Sequence, residues 1–243
     1  MADLPAGTRA DTDDTSVLRN PRFRRIWAAG FLTSMMRWLD LLVLGVFVFD
    51  MTDSAAKVAI VLLVRMLPRF VFGIALGTLA DRVNRQYLWV AALATLSGMS
   101  LLLGILIMTD AITYGLLLVV VFISGIFWAT EFPVRRAMIG DVVPHAAIGR
   151  AFGTDWTTDS FNRMIGPALG GALIVTVGAE GCYFLMSAAF GFAALVAMSL
   201  DYTPHVRDEV AQSPAQSLME GLRRVRRTRL LLAVMLVTVL FNL

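Results

Sequence analysis

Eight ionisable side chains stand inside stretches that are otherwise long and apolar: Arg37 and Asp40, Arg65 and Arg69, Glu131, and the series Asp155, Asp159 and Arg163. A charge at the middle of a hydrocarbon layer costs on the order of 2.5 to 3.5 kcal/mol on insertion scales. Four acids and four bases at depth are therefore expected to pair with one another inside a bundle rather than face lipid. Residues four apart stack along one helical face. That spacing puts Arg65 with Arg69, and Asp155 with Asp159 and Arg163. For Asp159 the first expectation is a structural ion pair with Arg163. The second is a protonation site, since two acids on one face repel and a desolvated carboxyl that titrates can couple proton entry to a conformational change. Asp40 is the other candidate for that role. Arg37, Arg65 and Arg69 read first as charge balance for these acids and second as an anion-attracting cavity wall.

The elements that carry these residues are apolar runs of membrane-crossing length. Of the 243 residues, 58% are hydrophobic and 16% charged, and the mean hydropathy is +0.73. A water-soluble domain could not bury so much apolar surface. Crossing about 30 Å of hydrocarbon takes roughly 20 helical residues. Six runs qualify: 26–49, 55–80, 88–108, 112–135, 151–177 and 182–200. A seventh begins at Leu230 and has 14 residues by Leu243, about 21 Å of helix at 1.5 Å per residue. Residues 1–20 read as a cytoplasmic tail without regular structure, carrying Asp3, Asp11, Asp13 and Asp14, and they lack the basic end and short apolar core of a cleavable leader. The six-helix bundle is expected over 21–200, a basic cytoplasmic connection over 201–229 and the incomplete seventh helix over 230–243.

Arginine placement orients the chain, because Lys and Arg near span ends stay on the cytoplasmic side. One side holds Arg19, Arg22, Arg24 and Arg25, then Arg82 and Arg85, Arg136 and Arg150, and finally Arg207 and the cluster Arg223, Arg224, Arg226, Arg227 and Arg229; the other holds Lys57. The amino terminus is thus expected in the cytoplasm of a multi-pass inner-membrane protein. In the connection, Leu218, Leu222 and Val225 at helical spacing beside arginines fit either an amphipathic helix on anionic lipid or a solvated basic linker. A net charge of +3 does not mark a nucleic-acid binder.

Three stretches carry a resemblance. The first is Gly77-Thr78-Leu79-Ala80-Asp81-Arg82-Val83-Asn84-Arg85, after the second run. It is similar to the loop between helices two and three of the major facilitator superfamily, G-x-L-a-D-r-x-G-r-[RK]. Asn84 stands where that pattern has glycine, a substitution asparagine tolerates in a left-handed turn, and Gln86 replaces the last basic residue. The second, Phe132-Pro133-Val134-Arg135-Arg136-Ala137 through Pro144, resembles the F-x-P-x-R-x-A pattern of the branch that includes the enterobactin exporter and related efflux proteins. The third, Asn162-Arg163-Met164-Ile165-Gly166-Pro167-Ala168-Leu169-Gly170-Gly171, resembles the G-P-x-x-G-G element of exporters, with Asn162 where other branches have glycine. Read physically, Pro167 leaves the Arg163 carbonyl without its helical donor, and Gly166, Gly170 and Gly171 present a smooth face for a packing seam, a gating bend, or both.

The resemblance covers residues 20–243. It implies an all-α bundle of inverted three-helix repeats around a central cavity, with Gly77, Asp81, Arg82 and Arg85 forming a conformational-switch loop. It also implies transport of a small molecule, drug-like or siderophore-like, exported against an ion, with the proton as the expected coupling ion. The rival expectation is a half-size, non-transporting membrane subunit that uses its basic connection to bind lipid or a partner. Such a superfamily transporter has twelve spans, so a fragment of a longer reading frame is the first expectation, and a missing carboxy-terminal half would supply the opposite cavity wall.

Enzyme chemistry has little foothold. His145 and His205 fall in connections, Ser124-Gly125 lacks the preceding glycine of an intramembrane serine protease, and Cys182 has no second cysteine. There is no His pair at metal-ligand spacing and no P-loop. No cofactor or metal is expected, and an ion gradient would have to drive transport.

Overall fold

A computed structural model of the chain describes residues 17–200 and 202, without the side chains of 74–82. The acidic tail over 1–16, the connection over 203–229 and the partial seventh helix lie outside the described residues, as do the side chains of Gly77, Asp81 and Arg82.

Five long helices follow a short 3-10 turn at Val17–Arg19: α1 Pro21–Thr52, α2 Ala55–Arg82, α3 Arg85–Met108, α4 Tyr114–Val142 and, after a second 3-10 turn, α5 Ile148–Met198. No strand occurs among the described residues. Local chemistry sets the starts. The Asn20 side chain accepts from the Arg22 and Phe23 amides at 3.0 and 3.3 Å, and Pro21 occupies the first turn, where its missing N–H costs nothing. Asn84 has φ −57°, so it does not make the left-handed turn its place in the motif suggested; its side chain instead caps α3 through the Gln86 amide at 2.9 Å. Thr113 caps α4 in the same way through the Leu116 amide.

By length and composition α1, α3, α4 and α5 can each cross a membrane. The fourth apolar run, expected to end at Arg135, continues as helix to Val142. α5 covers two apolar runs. Its helical dihedrals break at Gly178, φ 72° and ψ 175°, a conformation that strains any residue with a Cβ.

The two arms flanking that break have different neighbours. The first lies parallel to α1: the Trp27 indole donates to Thr158 at 2.9 Å, the Asn162 amide to the Phe31 carbonyl at 2.9 Å, and Gly170 meets Leu39. A Cβ on Gly166 would sit 2.6 Å from the Trp38 Cβ, so these helices approach almost backbone to backbone. The second arm runs antiparallel to α3. Gln86 donates to the Ala197 and Leu200 carbonyls, and Phe184 fills the space left by Gly104. α2 lies parallel to α4, with Gly125 against the Arg65 carbonyl. Trp89, Phe23, Tyr183 and Phe190 are among the largest fully buried side chains.

Candidate functional site

Most of the charges singled out from the sequence meet along the facing sides of α1, α2, α4 and the first arm of α5. Arg37 Nη2 lies 3.1 Å from Asp159 Oδ1, and the Ser34 hydroxyl donates to the same oxygen at 2.5 Å. Asp159 is therefore paired across helices with α1. The expected Asp159–Arg163 pair does not form, because α1 presents a guanidinium and a hydroxyl to that carboxylate. Arg163 lies over the Trp38 ring at 5.2 Å. Arg65 Nη1 is 2.7 Å from Asp40 Oδ2, an ion pair in distance whose angles are not those of a hydrogen bond. Arg69, one turn further along α2, is exposed.

Trp128 sits between the two pairs. The Arg37 and Arg65 guanidinium carbons are 5.5 and 5.7 Å from its ring centre, and Arg37 also lies 5.3 Å from Phe132. Cation–π attraction over one shared indole is worth about 0.5 to 2 kcal/mol per cation, and it holds both guanidinium groups against the same ring. Asp40, Arg65, Ser124, Trp128 and Tyr183 are among the residues that line a small cavity.

A second cluster lies deeper. Arg135 is 1% exposed, Glu131 0% and Asp155 2%. Arg135 Nε donates to Glu131 Oε1 at 3.2 Å and its Nη1 donates to Asp155 Oδ1. Arg136 Nε reaches the other Asp155 oxygen at 3.3 Å and stacks between Phe132 and Trp156 at 4.2 and 4.6 Å. Thr33 and the Trp89 indole each donate to Glu131 Oε1 at 3.3 Å. A Cβ on Gly30 would fall 2.6 Å from Arg135 Nη1, so glycine there makes room for the guanidinium.

Asp155 is thus a member of this sealed cluster, although helical spacing grouped it with Asp159. Arg136, counted among the arginines of a connection, lies within α4 and belongs to the same cluster. Sequence reasoning missed Thr33, Ser34, Trp128 and Arg135 as site members. The Glu131–Arg135 spacing of four was a readable signal; the rest was not, because it depends on which helices face each other.

Near the ends of α3 and α4, Arg85 Nη1 pairs with Asp141 Oδ2 at 2.7 Å and the Tyr202 hydroxyl donates to the same oxygen. Burial and that carboxylate raise the Tyr202 phenol pKa above its ordinary value. Of the small-residue element, Asn162, Gly166 and Gly170 touch α1, a Cβ on Gly171 would lie 4.0 Å from Leu42, and Pro167 stands inside α5. Among the described residues no cluster of three His, Cys, Asp or Glu side chains could hold a metal, and Cys182 is buried.

Residues 12–243 match the family model described as transmembrane secretion effector. Over 232 residues the chain is 25% identical to the uncharacterized MFS-type transporter YfiS of Bacillus subtilis, covering 90% of this chain and 54% of that protein. It is 22% identical over 223 residues to macrolide efflux protein A of Streptococcus pyogenes, covering 90% and 55%. To the staphyloferrin A transporter of Staphylococcus aureus it is 22% identical over 177 residues, covering 72% and 45%. The chain spans about half the length of the curated relatives it matches.

Proposed function

This chain belongs to the transmembrane secretion effector family of the major facilitator superfamily, and on that premise we propose that it forms one half of a secondary active transporter that exports a small molecule by alternating access. In this reading the break at Gly178 is the turn between two crossings, which would make six in all, and the arginine asymmetry supports an amino terminus on the cytoplasmic side of a bacterial inner membrane. Relatives named for macrolide efflux and staphyloferrin A transport favour an amphipathic or siderophore-like substrate.

The observation that carries the reading is the Arg37–Asp159 pair: a carboxylate at mid-helix depth, only partly exposed, held by one guanidinium and one hydroxyl from a different helix. Such a pair has two states. With Asp159 ionised, α1 and α5 are tied by charge; with a proton on Asp159 the tie weakens and Arg37 is released toward the cavity. Proton binding and substrate binding then compete for one switch, which is the requirement for exchange. Asp40 with Arg65 repeats the arrangement between α1 and α2. Arg85 and Asp141 join α3 to α4; Arg85 follows in sequence the Gly77–Arg82 stretch, which the structure places at the end of α2 rather than in a loop, and this junction of α2 and α3 is where a conformational switch would act.

The test is flux in proteoliposomes made with the product of the whole reading frame, under an imposed pH gradient, against a panel of amphipathic dyes. Gradient-dependent flux in the unaltered protein, lost in Asp159→Asn with expression intact, is the expected result. Unchanged coupled flux in the variant removes Asp159 from the coupling step, and no flux of any dye from correctly folded protein counts against transport.

A further inference from the structure

Arg37 stands where two faces of α1 meet. Gly30 and Thr33 lie toward α4: the first makes room for Arg135, and the second donates to Glu131 Oε1 at 3.3 Å. Ser34 lies toward α5 and shares Asp159 with Arg37. On α4, Trp128, Glu131, Phe132 and Arg135 are three or four residues apart and occupy one face. The Arg37 guanidinium carbon is 5.5 Å from the Trp128 ring centre and 5.3 Å from that of Phe132, and the Arg135 guanidinium carbon is 5.7 Å from the same Phe132 ring. Arg37 therefore rests against the α4 face that carries Glu131, within electrostatic reach of Glu131 and Arg135 as well as Asp159.

Two buried polar atoms at this junction have no hydrogen-bond partner among the described residues: Arg37 Nε, a donor, and Glu131 Oε2, an acceptor. Sharing at Glu131 is one-sided. Its Oε1 accepts from Arg135 Nε, Thr33 and the Trp89 indole, while Oε2 accepts nothing, although the residue is 0% exposed. An unsatisfied buried carboxylate oxygen is costly and calls for an explanation. Charge balance supplies one. Arg37, Arg65, Arg135 and Arg136 meet Asp40, Glu131, Asp155 and Asp159, four cations and four anions. A proton on Asp159 removes one anion and leaves Arg37 in excess. Asp40 is already paired with Arg65, and Asp155 with both Arg135 and Arg136, whereas Glu131 is paired with Arg135 alone and keeps one oxygen free. The charged groups around Glu131 are Arg37 from α1, Arg135 from its own helix, and Asp155 and Asp159 from α5; α3 presents the uncharged Trp89 indole, and Arg65 from α2 acts on Arg37.

We propose that Glu131 is the second seat of Arg37: when Asp159 is neutral, the Arg37 Nε–H donates to Glu131 Oε2, and Glu131 acts as a positioning residue of the coupling step. The assignment rests on the coupling role given to Asp159 above and says where the released guanidinium goes. Arginine suits this exchange because its planar fork has separate edges. With Nε on Glu131, the two Nη groups remain available to the cavity; a lysine ammonium has no second edge to offer. α1 thereby exchanges its tie to α5 for a tie to α4, while Arg135 and Asp155 keep α4 and α5 fastened throughout.

The test uses the purified product of the whole reading frame and needs no gradient. Asp159→Asn stands in for the protonated acid. Its structure, set beside that of the unaltered protein, is expected to show Arg37 Nε within hydrogen-bond distance of Glu131 Oε2; Arg37 still beside position 159, or turned away from α4, overturns the proposal. The second readout is the coupling between positions 37 and 131, taken from the unfolding equilibria of Arg37→Gln, Glu131→Gln and the doubly altered protein. That coupling should grow at least about tenfold when Asp159→Asn is added, because the direct charge-assisted hydrogen bond is made only there. A coupling of equal size in both backgrounds is attraction at a distance without exchange of partners, and overturns the proposal. Should Glu131→Gln fail to fold, the structure of Asp159→Asn decides, since that variant leaves the sealed cluster intact. The two possible failures are distinct. Arg37 that never reaches Glu131 sinks this assignment and leaves the coupling role of Asp159 standing, whereas coupled flux that survives Asp159→Asn sinks that role and the positioning role of Glu131 with it.

Discussion

The sealed cluster of Glu131, Arg135 and Asp155 and the half-open pair of Arg37 with Asp159 use the same residue types, and burial alone separates what they can do. In the first, Glu131, Arg135 and Asp155 are each at most 2% exposed and Arg135 is held by two carboxylates at once, with the more open Arg136 reaching Asp155 from the edge. In the second, Arg37 and Asp159 retain 20% and 16% side-chain exposure. A charge with no access to water or a proton cannot switch without a large penalty, so the sealed cluster fastens α4 to α5, while the half-open pair can exchange partners. Ion pairs in a transporter core are thus read by their exposure before their chemistry.

The largest effect should come from breaking the sealed cluster. Arg135→Leu leaves Glu131 and Asp155 without their main cation, a loss of about 3 to 5 kcal/mol; thermal unfolding in detergent should show a collapse in stability or a failure to express. Arg37→Leu should cost clearly less, and equal losses would erase the distinction between the regions.

Reversing the open pair, Arg37→Asp with Asp159→Arg, sharpens it from the other side. The doubly altered protein should fold with near-normal thermal stability, since opposite charges still meet across α1 and α5, yet under the coupling role proposed for Asp159 gradient-driven flux should be lost because the carboxylate then stands on α1. Normal flux would mean that only neutrality matters at that place.

A smaller effect tests how tightly the sealed cluster is packed. Gly30→Ala puts a Cβ 2.6 Å from a guanidinium that two carboxylates hold in place, for which overpacking of about 1 to 3 kcal/mol is expected. Gly140→Ala, which meets nothing within 4 Å, is the control and should be neutral. The same unfolding assay separates them.

The smallest concerns the surface latch, outside both clusters. Tyr202→Phe removes a hydroxyl donated to Asp141 and should cost about 0.5 to 1.5 kcal/mol. Since the folded protein raises this phenol above its usual value of about 10, the neutral form is the one stabilised. Its contribution should be present in full below about pH 10 and fade as pH rises toward the higher folded value, so the stability gap between the two proteins should close at alkaline pH. A gap unchanged into that range would show that the hydroxyl is not the origin.

Residues 26, 55, 88 and 112, where the first four apolar runs were expected to begin, fall within a few positions of the observed starts of α1 to α4, because the hydrophobic effect acts on composition along the chain and needs no partner. The fourth run ended too early on paper. Arg135 and Arg136 look like a membrane edge in one dimension, whereas in three they are neutralised by Glu131 and Asp155 and the helix runs on to Val142. Asp159 shows the same limit: its local partner at four residues was legible, and its true partners on α1, 122 and 125 positions away, were not.

The apolar runs, the starts of the first four helices and the presence of charges within those runs were legible in the sequence on its own, since each is set by neighbours along the chain. Which acid meets which arginine, and which of these pairs stays partly open, were decided only when α1 packed against α2 and α5. Electrostatic pairing falls off with distance in space, and only the tertiary structure sets those distances.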